Sequence, residues 1–230
     1  MTMTVDNTFN TEVFTGIAVA TTIGLAILCS YLGRAVLVAF LMSLLVAVNI
    51  ASIQVAAIFG LPVSIGTPLY AVTFLVSNII SERYGKLEAH RAVSQGFVAI
   101  AGFVVISYVS STIPGDNLRI ATEVKEVLSR STRLLVASFT TYMVVQHINV
   151  YIYHYARRAF GEHRITLRNN VSNIVAEVLD STIFFSLAFV GTNQSWWKLA
   201  FSGCLLKSII GLVDGPVVMV TRKLGTREFI

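Results

Sequence analysis

The amino-acid sequence predicts an all-α, polytopic membrane protein: about seven spanning helices in one bundle, with the N-terminus outside and the C-terminus in the cytoplasm. Three observations predict it. Hydrophobic residues make up 55% of the 230 residues and charged residues only 13%, about half the roughly 25% that a water-facing surface carries. The apolar residues gather in runs long enough to cross about 30 Å of hydrocarbon, which takes about 20 residues at the helical rise. The basic residues sit in the short connections between those runs, mostly on one side. That is the charge asymmetry of a membrane topology and not the basic stripe of a nucleic-acid binder, despite a net charge of +5. No nucleic acid is expected as a partner.

The elements follow in order. Residues 14–33 read as an extra N-terminal span within segment 1–33, placed ahead of a core bundle over 34–230, the two forming a single integral membrane domain. The opening MTMTVDNTFNTEVF holds no Lys or Arg, so the basic n-region of a secretory signal is missing. Leu28 is too bulky for a lipoprotein cleavage site before Cys29, and the run is expected to stay as a helix. Cys29 and Cys204 both fall in apolar runs and read as small buried hydrophobes, too few thiols for a zinc site or a disulfide framework. The uncharged stretch 35–81 is too long for one helix, and Gly60-Leu61-Pro62 divides it. The second span is then 35–59 and the third 63–80, the latter with Gly66 and Pro68 near its start, where a broken or re-entrant helix would need protein cover. The remaining spans are 92–113, 134–155, 171–190 and 199–220. In the one sizeable loop, 114–133, Leu118, Ala121, Val124 and Leu128 recur at helical spacing, so a short amphipathic helix on the outer surface is expected. Trp196-Trp197 reads as an interfacial anchor, and Gly102, Gly203 and Gly211 as points of close helix approach.

Orientation comes from the loop charges. One set of connections holds Arg34, Arg83, Lys86, Arg91, Arg157, Arg158, Arg164, Arg168, Arg222, Lys223 and Arg227; the opposite set holds Arg119, Lys125, Arg130, Arg133 and Lys198. The positive-inside rule places the first set in the cytoplasm.

Polar residues within the spans carry the functional information. A charge at the bilayer centre costs about 2.5–3.5 kcal/mol on insertion scales, so Glu177, Asp180, Lys207 and Asp214 must face an interior or a wet cavity. In the sixth span Asn170, Asn173, Glu177 and Asp180 are separated by three, four and three residues, which puts them on one stripe. In the fifth, Tyr142, Gln146, Asn149 and Tyr153 form a second. Lys207 and Asp214 share a face of the last span, Asn78 and Glu82 a face of the third, and Asn49 and Ser52 a smaller spot on the second. A lone Ser, Thr or Asn in such a helix is commonly helix-to-helix glue. His147 and His154 read as packing or interface residues. Two facing stripes of amides, carboxylates and rings are different, because they suit a flat polar heterocycle. Amides and carboxylates can read donors and acceptors on its edge, and rings can stack on its face.

Several chemistries have no signature. The sequence lacks GxxxxGK[ST], HExxH and GxSxG. VLDST and LVDGP around Asp180 and Asp214 lack the glycine-rich setting of an intramembrane aspartyl protease. No catalytic residue, cofactor or metal is expected, so the chain is not read as an enzyme.

Five segments occur in a recognisable order: NIASIQVAAIFG, PLYAVTFLVSNIISERYGKLEAHRAV, RLLVASFTTYMVVQHINVYIYH, LRNNVSNIVAEVLDSTIFFSLAFVGT and LLKSIIGLVDGPVVMV. Together they resemble the queuosine-precursor transporter family, also called the vitamin uptake transporter family, over roughly residues 49–220. The resemblance implies import of queuine or a 7-deazaguanine such as preQ0 or preQ1 across the bacterial inner membrane, for salvage into a modified tRNA nucleoside. Carried onto this chain, the family pattern highlights Asn49, Thr73, Glu82, Gly85, Arg133, Ser138, Gln146, Asn170, Ser172, Glu177, Asp180, Phe184, Lys207, Asp214 and Pro216. Two positions depart from it. Asn78 and Asn149 stand where Asp is expected, each removing a negative charge and keeping an amide.

The site expected is near mid-membrane, between the third, fifth and sixth spans. Glu177 and Asp180 would bind a guanidine-like edge, with Gln146, Asn149, Asn173, Asn49, Thr73 and Asn78 reading other edge atoms and Tyr142, Tyr153 or Phe184 stacking. Arg133, Glu82, Lys207 and Asp214 would support the site. The expected partners are a small nucleobase-like molecule and the lipid bilayer, and a homodimer is compatible with this reading. A rival is a substrate-capturing subunit resembling the specificity component of an energy-coupling-factor importer, which would need a partner ATPase. A second rival is a non-transporting helical assembly or enzyme.

Overall fold

The computed structural model describes residues 5–52, 54–113, 122, 132–161, 163–191 and 196–224. Its elements are α1 (Val5–Leu32), α2 (Arg34–Ala51), β1 (Val55–Ile58), β2 (Leu61–Ser64), α3 (Gly66–Tyr84), α4 (Lys86–Thr112), α5 (Thr132–Phe160), α6 (Ile165–Phe189) and α7 (Trp196–Lys223). The amphipathic helix expected over 114–133 lies outside the described residues, apart from Thr122, which is helical, and the start of α5.

Single glycines make the tightest reversals. Gly33 (φ +116°) separates α1 from α2 and Gly85 (φ +88°) separates α3 from α4; a one-residue turn there uses backbone that side-chain-bearing residues avoid. Contacts along the helices show that the chain runs up and down. Arg83 at the end of α3 donates to the Ser30 carbonyl at the end of α1 (2.6 Å) and to the Leu224 carbonyl beyond α7 (3.1 Å). Arg34 at the start of α2 donates to Glu88 at the start of α4 (2.6 Å). The backbone N–H of Phe59, in the hairpin between α2 and α3, donates to Glu12 near the start of α1 (2.9 Å). So α1, α3, α5 and α7 point one way, the described ends of the chain lie at opposite faces of the bundle, and the described basic connections gather at one face.

Five helical stretches are long and apolar enough to cross a membrane: Asn10–Leu32, Arg34–Ala51, Lys86–Ser110, Ile165–Phe189 and Ala200–Lys223. α3 and α5 fall short on composition, and for α3 the reason is physical. α3 touches each of the other six helices, and every residue from Ala71 to Ser81 is buried. A helix enclosed by protein meets no lipid and is free to carry polar groups. One face of α3, with Val72, Leu75, Val76, Ile79 and Ile80, closes an apolar core with Leu37, Leu41, Leu45 and Val48 of α2 and Ala89, Ala92 and Val93 of α4. The opposite face meets α5, α6 and α7. Apolar packing is thus concentrated on one side of α3 and polar packing on the other.

Three expectations are corrected. The second span ends at Ala51 instead of continuing to 59, and a short hairpin follows it within the all-α bundle. Val55–Ile58 and Leu61–Ser64 pair antiparallel, with Ala57 opposite Pro62. Phe59 (φ +51°) and Gly60 (φ +74°) both adopt the left-handed backbone that a two-residue hairpin turn requires. An uninterrupted apolar run hid this, because helix and strand cannot be told apart there by periodicity. The third span is continuous, with Pro68 in its first turn where proline is tolerated. Over 19 residues it rises about 28 Å, close to the hydrocarbon thickness. Finally, Arg168 is not a loop charge: it lies in the first turn of α6, fully buried.

Candidate functional site

The polar face of α3 is the spine of the site. Tyr70, Thr73, Ser77, Asn78, Ser81 and Glu82 recur at helical spacing and face matching stripes on α5, α6 and α7. Because α6 runs opposite to its neighbours, the residues pair in three tiers.

At the basic end Glu82 is the anchor, its side chain only 2% exposed. It accepts from Tyr153 (2.9 Å) and ion-pairs with buried Arg168 and, at 3.3 Å, with Arg222. Arg168 also lies over the Tyr153 ring, 5.4 Å from its centroid.

The middle tier is built of amides. Asn78 donates to Asn169 (2.9 Å) and Asn173 (2.6 Å) and accepts from Asn149 (3.0 Å). Asn173 in turn donates to Asp214 of α7 (2.6 Å). One turn farther along, Gln146 donates to Thr73 (3.0 Å), whose hydroxyl donates to the Tyr70 carbonyl (2.7 Å).

In the third tier Asp180 pairs with Lys207 and accepts from Tyr70 (3.1 Å). Lys207 sits over the Tyr70 ring at 5.3 Å, and Tyr70 packs edge-on against Phe74 at 5.5 Å. Glu177 lies between the second and third tiers, completely buried. Ser208 of α7 stands near its carboxylate without making a hydrogen bond of normal geometry, and neither oxygen has a partner among the described residues.

What remains unpaired defines what the site can receive. The buried atoms without partners include the acceptors Glu177 Oε1 and Oε2, Asp214 Oδ1, Gln146 Oε1 and Asn149 Oδ1, the donors Asn169 Nδ2 and, in the first tier, Arg168 Nε and Nη1, and the Ser77 and Ser81 hydroxyls, which can act as either. The amide ends can exchange by rotation, but carboxylate oxygens remain acceptors. Leaving such atoms unmatched costs about 1–3 kcal/mol each. An unmet demand for donors is therefore localised at the carboxylates of Glu177 and Asp214.

Each expected site residue now has a place. Thr73, Asn78, Gln146, Asn149, Asn173, Glu177, Asp180, Lys207 and Asp214 are brought together in the middle and third tiers, with Glu82 in the first. Tyr153 is committed to Glu82. Tyr142 is turned away: its hydroxyl donates to the Val93 carbonyl of α4 (3.3 Å). Asn49 is half-buried and closes on its own helix through the Leu45 carbonyl (2.8 Å). Phe184, one turn past Asp180, packs edge-on against Phe185 at 5.1 Å. The Arg133 side chain lies outside the described residues. Asp180 has its charge answered by Lys207, whereas Asp214, expected in support, presents a free oxygen.

Tyr70, Arg168 and Asn169 were missed. Tyr70 could have been found, since it extends the Thr73, Ser77 and Asn78 stripe by one turn; Arg168 was masked by its place beside a basic loop.

Close approach of α6 and α7 shapes the same region. A Cβ on Gly211 would stand 2.8 Å from Glu177 Oε1, and one on Gly215 would stand 2.6 Å from Thr166. Gly203 packs on Phe185, whereas Gly102 faces open space and is no contact point. Pro216 lies inside α7, where it removes one intrahelical hydrogen bond beside Asp214. Cys29 and Cys204 are free and half-buried.

The family model described as "Putative vitamin uptake transporter" matches residues 64–221, the stretch from the end of the hairpin to the end of α7. A protein of Bacillus subtilis (strain 168) named "Probable queuosine precursor transporter" is 26% identical over 186 residues, covering 78% of this chain and 80% of its own length. No solved structure matches. The chain is a multi-pass membrane protein, in a bacterium a protein of the inner membrane, and it belongs to the vitamin uptake transporter family.

Proposed function

We propose that the protein imports a queuosine precursor, queuine or a 7-deazaguanine such as preQ0 or preQ1, across the cytoplasmic membrane, and that the substrate is held among α3, α5, α6 and α7. The whole chain acts as one membrane domain in this reading. The observation that carries it is the set of buried, unpartnered acceptors at Glu177, Asp214, Gln146 and Asn149. A 7-deazaguanine offers a ring N–H and an exocyclic amine side by side, and a carboxylate accepts such paired donors well. Glu177 takes that edge. Asp214 and the amides of Gln146 and Asn149 take the remaining polar atoms, and Tyr70, already held by Asp180 and Lys207, offers a ring of the cluster. Asp180 is then a positioning residue, not a direct ligand. The name of the Bacillus subtilis relative favours the same substrate class.

The test is uptake of labelled queuine into vesicles holding the purified chain alone. Glu177→Gln keeps the volume and removes one fixed acceptor, so uptake is expected to fall at least about tenfold, in line with loss of a charge-assisted bond, while expression and thermal stability are retained. Undiminished uptake by that variant refutes the role of Glu177. Tight binding by the wild-type chain without vesicle entry would instead favour a substrate-capturing subunit that needs a partner ATPase.

A further inference from the structure

A second site lies away from the central cluster, at the basic end of the α4–α5 seam. A cavity of about 310 Å³ is lined by Lys86, Tyr151, Ile152, His154, Tyr155 and Arg158. We propose that it binds the phosphate headgroup of an anionic phospholipid.

Charge comes first. Lys86 and Arg158 line the cavity, and among the described residues neither reaches a carboxylate; Glu88, the acid nearest Lys86 in sequence, is bound by Arg34 at 2.6 Å and by Arg91 at 2.5 Å. The cavity therefore holds two cations that no carboxylate among the described residues neutralises. Lys86 is also the first residue of α4, a helix start with no side-chain cap, which adds positive potential. His154 contributes a further donor-capable atom, since its buried Nε2 has no partner. The Lys86 ammonium rests on the Tyr151 ring, 3.9 Å from its centroid, which fixes it at the mouth. Phosphate oxygens are the natural complement to two such cations.

Position then selects a lipid over a free anion. Tyr151 and Tyr155 are 57% and 74% exposed, and Leu87 beside Lys86 is 63% exposed. In a spanning bundle, amphipathic rings at this depth mark the headgroup level. From Tyr151 the exposed stripe of α5 continues through Val144 and Thr140 to Val136, giving acyl chains a mostly apolar surface beside the cations. Basic pockets between spanning helices on the cytoplasmic side commonly hold anionic headgroups, and this end of the bundle is the one where basic connections gather.

The experiment uses the full chain in detergent and follows thermal unfolding. Titration with dioleoylphosphatidylglycerol should raise Tm saturably, and dioleoylphosphatidylcholine should not. In Lys86→Gln/Arg158→Gln the apparent affinity for phosphatidylglycerol should fall roughly thirtyfold, the effect of removing two surface cations. Arg164→Gln/Lys223→Gln, which removes two charges from the same end but outside the cavity, should retain it. Equal loss in both double variants would show non-specific attraction and overturn the proposal, as would an unchanged response in the first. Equal stabilisation by millimolar inorganic phosphate would assign the cavity to a soluble anion instead of a lipid. Retained queuine-dependent stabilisation in Lys86→Gln/Arg158→Gln checks that the variant is folded.

Discussion

Asn78 commits both amide hydrogens and its carbonyl to three other asparagines, Asn169, Asn173 and Asn149. It is the joint between α3, α5 and α6. Asn78→Leu would leave three buried amide groups unmatched at about 1–3 kcal/mol each, so a loss of at least about 3 kcal/mol is expected, read as a sharp fall in Tm or in recovered protein. Asn78→Asp should be far milder. Asn169 can rotate its amide and donate to a carboxylate, since its Nδ2 has no present partner to lose, whereas Asn173 keeps its Nδ2 on Asp214. If Asn78→Asp proves as damaging as Asn78→Leu, the amide network is not what holds these helices together. Aspartate at this position and at 149 is what the family resemblance led us to expect. The network shows why asparagine serves: it donates to Asn169 and Asn173 and accepts from Asn149 without adding another negative charge near Glu177 and Asp214.

Between elements, the decisive contact is α6 against α7. Gly211 lets the helices approach until the Glu177 carboxylate lies against the backbone of α7, with a Cβ position only 2.8 Å from Oε1 and 3.5 Å from Asn173 Nδ2. Gly211→Ala is expected to displace the carboxylate and abolish the response to queuine while the bundle still forms. Gly102 supplies the contrast. No atom lies within 4 Å of its Cβ position, so Gly102→Ala should leave substrate response intact and raise stability by up to about 1 kcal/mol through helix propensity. Paired thermal-shift measurements with and without queuine distinguish the two. A normal queuine response in Gly211→Ala would mean Glu177 need not sit where the helices press together. The hairpin is the other element with a specific role. It turns the chain between α2 and α3, and its turn is tied to α1 through Glu12 and the Phe59 N–H.

For the molecule as a whole, the up-and-down course puts the hairpin at one face and the α5–α6 turn at the other. The basic residues at the latter face predict that it is cytoplasmic. In a chain with Cys29 and Cys204 replaced by Ser, a cysteine at Leu61 should react with a membrane-impermeant maleimide added to intact cells. One at His163 should react only after the membrane is opened. The reverse pattern would invert the topology and place the proposed lipid site in the outer leaflet.

Composition and spacing were enough to give the membrane class, the approximate helix positions and most of the residues that the central polar cluster brings together. Glu177, Asp180, Lys207 and Asp214 had to face inward, because lipid would make their charges costly, and helical periodicity placed them on shared faces. Only the tertiary structure decided how those groups are divided. Which carboxylate meets Lys207 and which is left with free oxygens depends on the rotation and separation of α6 and α7, and nothing local records either. The same holds for Arg168, which reads as a loop cation until Glu82 of another helix is seen beside it, and for Tyr142, whose hydroxyl found the Val93 carbonyl of α4 instead of the central cluster. A sequence fixes the residues on each helix face; the partner across each face is chosen by packing between segments tens of residues apart.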